Sequence, residues 1–347
     1  MKKCLLALML LSLMLFVSCD SDDDKDEVRP YDVLLINSGG DFGTISTITD
    51  DEITNDVQSV GRWANDALSF ENRIYVVNSG TSDIRVYNKE SLDPIGAIQL
   101  DEGINPMCAA IVNGKIYVTS LFGTGVEVYS ISDFSYISTI TYPAEVSNGA
   151  DAIIAKDDYV YVNLNNYYFD ANWNSTYDNE TIIKIDSSND TIIGDVEVGV
   201  NVGELLFDNE GNLHVLCGGD YADIDGNILK VDVENLTVLD TLSFNFQISC
   251  LAKDSYGNIY TAKTDYDLIA NSAISEIYKY IASDMSFINN EQNPIMTTTS
   301  GVMDLLFYNK RLYVPKFDEN KISIFDEEDN LIKEVDTGNG PSKLLGF

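Results

Sequence analysis

The chain has 347 residues, 45% of them hydrophobic, and its 56 acidic against 21 basic side chains give a formal net charge of −35. Nucleic acid is excluded as a partner, because phosphate binding needs clustered Lys and Arg, and docking on anionic lipid headgroups is disfavoured. Such a surface favours solubility and attracts cations. The length suffices for one large all-β domain.

In chain order, Met1-Lys2-Lys3 and the apolar residues 5–17 form a basic n-region and a short h-region, expected as a signal peptide over residues 1–18. Phe16-Val17-Ser18-Cys19 looks like a lipobox, so Cys19 is expected to become the lipidated first residue of a lipoprotein. Residues 19–30 begin with Asp20-Ser21-Asp22-Asp23-Asp24, an acidic tether that cannot fold alone. The tether resembles the export signal of surface lipoproteins and implies an outer-membrane protein on the cell surface. A periplasm-facing anchor is the alternative.

Residues 63–100 contain four short β-branched and aromatic runs, at 65–70, 73–78, 83–87 and 94–100, separated by Asn, Gly, Ser and Asp. That pattern predicts a four-stranded antiparallel meander. With Tyr75 as reference, equivalent positions fall at Leu34, Tyr117, Tyr161, His214, Tyr260 and Tyr313, at intervals of 41–53 residues. A period of this size with four strands is that of a propeller blade. Six blades run from about 63 to 337. Residues 31–60 supply only a second, third and fourth strand, and 342–347 only a first. Joined, they make a seventh blade and close an all-β, seven-bladed β-propeller over 31–347, leaving no free sheet edge.

Tyr75-Val76-Val77-Asn78 and Tyr117-Val118-Thr119-Ser120 look like the YVTN-type repeat of YncE-like propellers, and Gly257-Asn258-Ile259-Tyr260 resembles an NHL-type turn. The resemblance covers 31–347 through core and turn positions. One subset of that family, the BtuG surface lipoproteins, captures cobalamin beside an outer-membrane importer. The lipobox and acidic tether here are similar to that arrangement.

Loops leading into the first strand and loops joining the second to the third open on one face, here called the top. The longest, 165–179, carries Tyr167, Tyr168, Phe169, Trp173 and Tyr177. Tyr and Trp give large rigid contact area at low entropy cost, as ligand-binding loops require, although the same rings can simply fold the loop onto its neighbours. Trp63, Tyr221 and Tyr266, with Phe42, Phe122 and Phe317, extend the aromatic set on this face. Aligning the first strands places Asp66, Cys108, Asp151, Glu204, Cys250, Asp304 and Lys343 in one ring at the channel mouth. This ring can hold a cation or hydrogen-bond a polar ligand, or each acid can cap backbone N–H groups of an adjacent loop. Asp220 to Asn227 has oxygen ligands at alternate positions and a Gly, as a calcium loop does, but lacks the downstream Glu. It is read as an acidic turn.

Catalytic machinery is sparse. The single histidine, His214, occupies the packed Tyr slot, so neither a Ser–His dyad nor a multi-histidine metal site is expected. Of the cysteines left after lipidation, Cys217 and Cys250 are the pair that a disulfide would join. The expectation is therefore a non-enzymatic lipoprotein that holds a small polar ligand, a corrinoid by resemblance, for a TonB-dependent transporter, with no cofactor or structural metal. The alternatives are a surface scaffold or adhesion module, then a carboxylate-based hydrolase or lyase.

Overall fold

The computed structural model describes residues 31–143, 149–169, 175–220, 222–267 and 272–347, with the backbone alone for Phe169, Ser175, Tyr266, Asp267 and Ser272. Residues 1–18, Cys19, the tether, Trp173 and Tyr221 lie outside the described residues, as do the side chains of Phe169 and Tyr266.

Seven antiparallel sheets form the ring of a β-propeller, with no helix among the described residues. Blade 1 consists of Ala64–Phe70, Arg73–Asn78, Asp83–Asn88 and Pro94–Gln99, within a residue of the predicted runs. Blades 2 to 6 have their inner strands at Pro106–Val112, Ile153–Lys156, Val202–Phe207, Ile248–Lys253 and Leu306–Tyr308. In blade 7, Pro341–Gly346 is the inner strand beside Val33–Asn37, Thr44–Thr49 and Glu52–Ser59. Leu344 pairs with Leu35 and Gly346 with Val33, so the C-terminal strand closes the ring.

The core lies between blades. Each second strand is packed on both faces, which is why it reads as an unbroken apolar run, whereas the outer strands Pro94–Gln99 and Leu331–Asp336 are largely exposed. Period-2 alternation divides one strand between two interfaces. Ile74 and Val76 pack on blade 7 with Leu34 and Ile36, while Tyr75 and Val77 pack on blade 2 with Ile116 and Val118. The reference slot always faces the following blade. There, Tyr117 donates to Asp190 of blade 3 at 2.6 Å and Tyr260 to Asp329 of blade 6 at 2.9 Å. His214 is fully buried against Tyr280 of blade 5 and Asp208, a strand residue of the core as its slot implied.

Two expectations need correction. The cysteines at 108, 217 and 250 are all free. Cys217 packs between blades 3 and 4 and Cys250 between blades 5 and 6, so consecutive blades do not bring their sulfurs together. The long loop of blade 3 is itself a hairpin, Tyr167–Phe169 paired with Ser175–Tyr177.

Candidate functional site at the channel mouth

The sequence-aligned ring exists. Asp66, Asp151, Glu204 and Lys343 all act electrostatically on Cys108, which places them around one lumen. About a quarter of the Lys343 and Glu204 side chains remains exposed there. A register shift in the first strand turns the ring residue in blades 1, 2, 4, 5 and 7, as β-bulges re-aim side chains elsewhere.

Three of the acids latch consecutive blades together. Asp66 accepts from Ala109 N–H at 3.1 Å, Glu204 from Leu251 N–H at 2.6 Å and Asp304 from Leu344 N–H at 2.7 Å. In each pair, the donor follows the ring residue of the next blade. Their other oxygens are engaged too: Asp66 Oδ1 meets Ala67 N–H at 2.9 Å, and Lys343 lies 3.4 Å from Asp304 and 3.9 Å from Glu204. Burial pushes Glu204 up to about 7 against the pull of Lys343, and raises Asp304 likewise. Burial works against the Lys343 charge, but Asp304, Glu204 and Asp66 outweigh it and hold the ammonium firmly protonated. Cysteines 108 and 250 have thiols raised by burial, which keeps them protonated and poor nucleophiles.

Asp151 departs from this pattern. Its strand starts at Ile153 and pairs without a register shift. Asn163 Oδ1 takes the backbone N–H groups of Asp151 and Ala152, at 3.0 and 2.6 Å. Asp151 Oδ1 is left buried without a partner. Burial raises this carboxyl to about 6. Asn165 lies close enough to favour the charge, yet the two do not meet with hydrogen-bond geometry, and Asn165 Nδ2 is unpartnered as well. Tyr142 OH and Ser120 Oγ complete a group of four orphaned polar atoms around 149–151, half of the eight found among the described residues. Ser120 is joined to this segment by its carbonyl, which accepts Ala150 N–H, and Tyr142 feels the Asp151 charge. Gly149 is obligatory here: its φ is +93°, and a Cβ would lie 2.2 Å from the Leu121 carbonyl oxygen. Glu180, which the sequence did not single out, completes the cluster through Asn163 at 2.9 Å. Burial raises it to about 8. Its sequence neighbours Asp178, Asn179 and Thr181 are polar as at a loop end, and only the pairing of its strand reveals it.

The aromatic hairpin rises from this cluster, since Asn165 N–H binds the Gly149 carbonyl and Asn165 leads directly into Tyr167. Tyr167 and Tyr177 are cross-strand partners with rings 5.6 Å apart. The charges of Asp151 and Glu180 reach Tyr167. Tyr168 points to the opposite side, 47% exposed, and donates to Asp178 at 3.0 Å. The calcium-like segment is occupied by its own backbone, with Asp220 Oδ1 accepting from Ala222 and Ile224 N–H. Among the described residues no group of three or more His, Cys, Asp or Glu side chains is arranged to hold a metal ion.

No protein-family model matches the chain, and no curated protein matches it in sequence. Solved structures do match in shape. Hydrazine synthase of Kuenenia stuttgartiensis superposes with a TM-score of 0.62 at 13% identity, over 78% of this chain and 85% of that one. Apo AztD from Citrobacter koseri gives 0.57 at 9% identity, over 90% and 96%. The dihydro-heme d1 dehydrogenase NirN in complex with DHE gives 0.58 at 10%, over 91% and 75%. At such identities the likeness is one of fold, and the fold is a β-propeller.

Proposed function

We propose that the protein is a lipid-anchored surface receptor that captures a small polar ligand at blade 3 and passes it to a TonB-dependent outer-membrane transporter. The observation that carries the reading is the juxtaposition of the Tyr167–Tyr177 hairpin with the orphaned Asp151, Asn165, Tyr142 and Ser120 groups. Buried polar atoms without partners are costly, about 1–3 kcal/mol each, and a ligand or ordered water that satisfies them recovers that energy. The rings supply apolar contact area and the cluster supplies donors and an acceptor, the usual division of labour in a small-molecule site.

Cys19 provides the anchor and residues 20–30 the tether in this reading. The resemblance to BtuG makes a corrinoid the most specific ligand. Calorimetric titration with cyanocobalamin tests it: one-to-one binding is expected, lost when Tyr168 and Trp173 are both replaced by Ala. Undiminished binding in that double variant overturns the assignment to blade 3, and no heat with the parent protein overturns the corrinoid.

A further inference from the structure

A second feature lies on the same face at blades 1 and 2, away from the blade 3 cluster. In blades 2, 3, 4 and 7 the inner strand is preceded by a residue whose carbonyl accepts an N–H from the loop after the second strand. Asn105 does so with Leu121, Gly149 with Asn165, Asn201 with Gly218 and Gly340 with Ser38. These four have φ of +58°, +93°, +59° and +65°. The left-handed region suits Gly and, among other residues, Asn. In blade 1 the slot is filled by Trp63, at φ +52°, with Ser79 N–H on its carbonyl at 3.0 Å.

Bulky residues take positive φ elsewhere, but there they pack on the core: Leu92 and Met285, in outer turns, are 7% and 6% exposed, and Phe134 and Leu236 are half-buried against it. Trp63 is 59% exposed. Gly80 keeps the space beneath the indole open, since a Cβ there would come within 2.9 Å of the ring. A strained backbone that holds a large ring out in solvent is not explained by packing, and strain of this kind gathers at ligand-binding positions.

The ring borders a cleft of about 560 Å³ whose far wall is Phe122, 67% exposed. A second cleft, about 720 Å³, shares Gln99, Glu102 and Phe122 with the first and runs on to Tyr136 and Glu127. The two make one open groove with three exposed rings along it. No Lys, Arg or His lines either part, so nothing there recognises an anion. The available partners are acceptors and neutral groups. Gln99 Nε2 is tied to the Ser82 carbonyl at 2.8 Å, and Gln99 and Glu102 both line the cleft with acceptor oxygens. Flat apolar platforms alternating with hydrogen-bond acceptors, in a groove open at both ends, match a chain of hydroxyl-bearing rings.

We propose that the Trp63–Phe122–Tyr136 groove is a binding site for a neutral oligosaccharide chain. It is independent of the blade 3 reading, and either stands if the other fails.

The test is affinity electrophoresis of the full mature chain through gels containing barley β-glucan, xyloglucan, galactomannan, pullulan or levan, with calorimetry on a hexasaccharide of any glucan that retards it. Choline and spermidine serve as cationic controls. Retardation by at least one neutral glycan is expected, with affinity falling at least tenfold in Trp63→Asn and Phe122→Ala. Trp63→Asn restores the residue that blades 2 and 4 use in this slot, so its melting temperature should equal or exceed that of the parent. With Trp173→Phe as background, Trp63 is the only tryptophan, and its fluorescence should shift on binding. The proposal is overturned by no retardation in any glycan, by unchanged affinity in Trp63→Asn, by binding of the cationic controls alone, or by a marked fall in the melting temperature of Trp63→Asn.

Discussion

Asp304 and Asp151 hold the same place in blades 6 and 3, yet their surroundings are opposite. Asp304 is saturated by Leu344 N–H and Lys343, whereas Asp151 keeps an oxygen that nothing meets. The side of the ring that closes the propeller has become a set of inter-blade latches. The side that carries the aromatic insertion has been left unsatisfied. Two carboxylates in one repeat position thus differ in whether a protein group meets them, and the local spacing of the chain differs as well. Gly149 precedes Asp151 by two residues, while the corresponding residue precedes Asp66, Cys108, Glu204 and Lys343 by three.

The sharpest way to break the sealed side is to delete residues 341–347. This removes the inner strand of blade 7 with Leu344 and Phe347 and uncovers the edge of Val33–Asn37. Loss of a single cooperative thermal transition, read by calorimetry, is expected. A smaller break is Asp304→Ala, which strands the Lys343 charge and the Leu344 N–H and should cost about 3 kcal/mol in urea denaturation. Asp151→Asn removes a desolvated carboxylate with an unpartnered oxygen and should leave stability unchanged or raise it. Equal losses in these two variants would erase the contrast.

The unsatisfied side also predicts a pH signature. Glu180 has an ordinary value of 4.5 and a folded value of about 8, and Asp151 3.8 and about 6. A raised acid binds its proton more tightly when folded. Its stabilising effect is therefore complete below the ordinary value and lost as pH rises through the folded one. The stability gain of Glu180→Gln over the parent, read by urea denaturation, should accordingly grow from pH 4.5 to 8, by at most about 1.4 kcal/mol per unit. A constant offset would show that Glu180 keeps its charge throughout. The smallest effects come from groups that only trim the two sides. Tyr117→Phe removes the bond to Asp190 and should cost about 1 kcal/mol. Tyr168→Ala, at an exposed ring, should change stability by less than about 0.5 kcal/mol.

Much of the architecture was legible because a propeller repeats its physics. Two-sided burial makes each second strand an apolar run, the Tyr slot recurs once per blade, and the complementary fragments 31–60 and 342–347 show how the ring closes. The ring at the channel mouth was legible for the same reason, nine or ten residues before the slot in each of the six continuous blades. What the ring residues bind was not, because a carboxylate that caps an N–H and one that awaits a ligand have the same sequence. Glu180 was hidden inside a strand, and the cysteine pairing failed because strands adjacent in order expose their sulfurs to different interfaces.

The amino-acid pattern alone determined the number of blades, the closing strand and the residues facing the lumen, since period-2 alternation and a repeat of fixed length are local properties of the chain. Only the tertiary structure decided that Asp66, Glu204 and Asp304 latch neighbouring blades, that Asp151 keeps a buried oxygen without a partner, and that Trp63 occupies a left-handed slot beside Phe122. Those outcomes depend on bulges, backbone handedness and contacts across blade boundaries. They are set by how segments far apart in sequence meet.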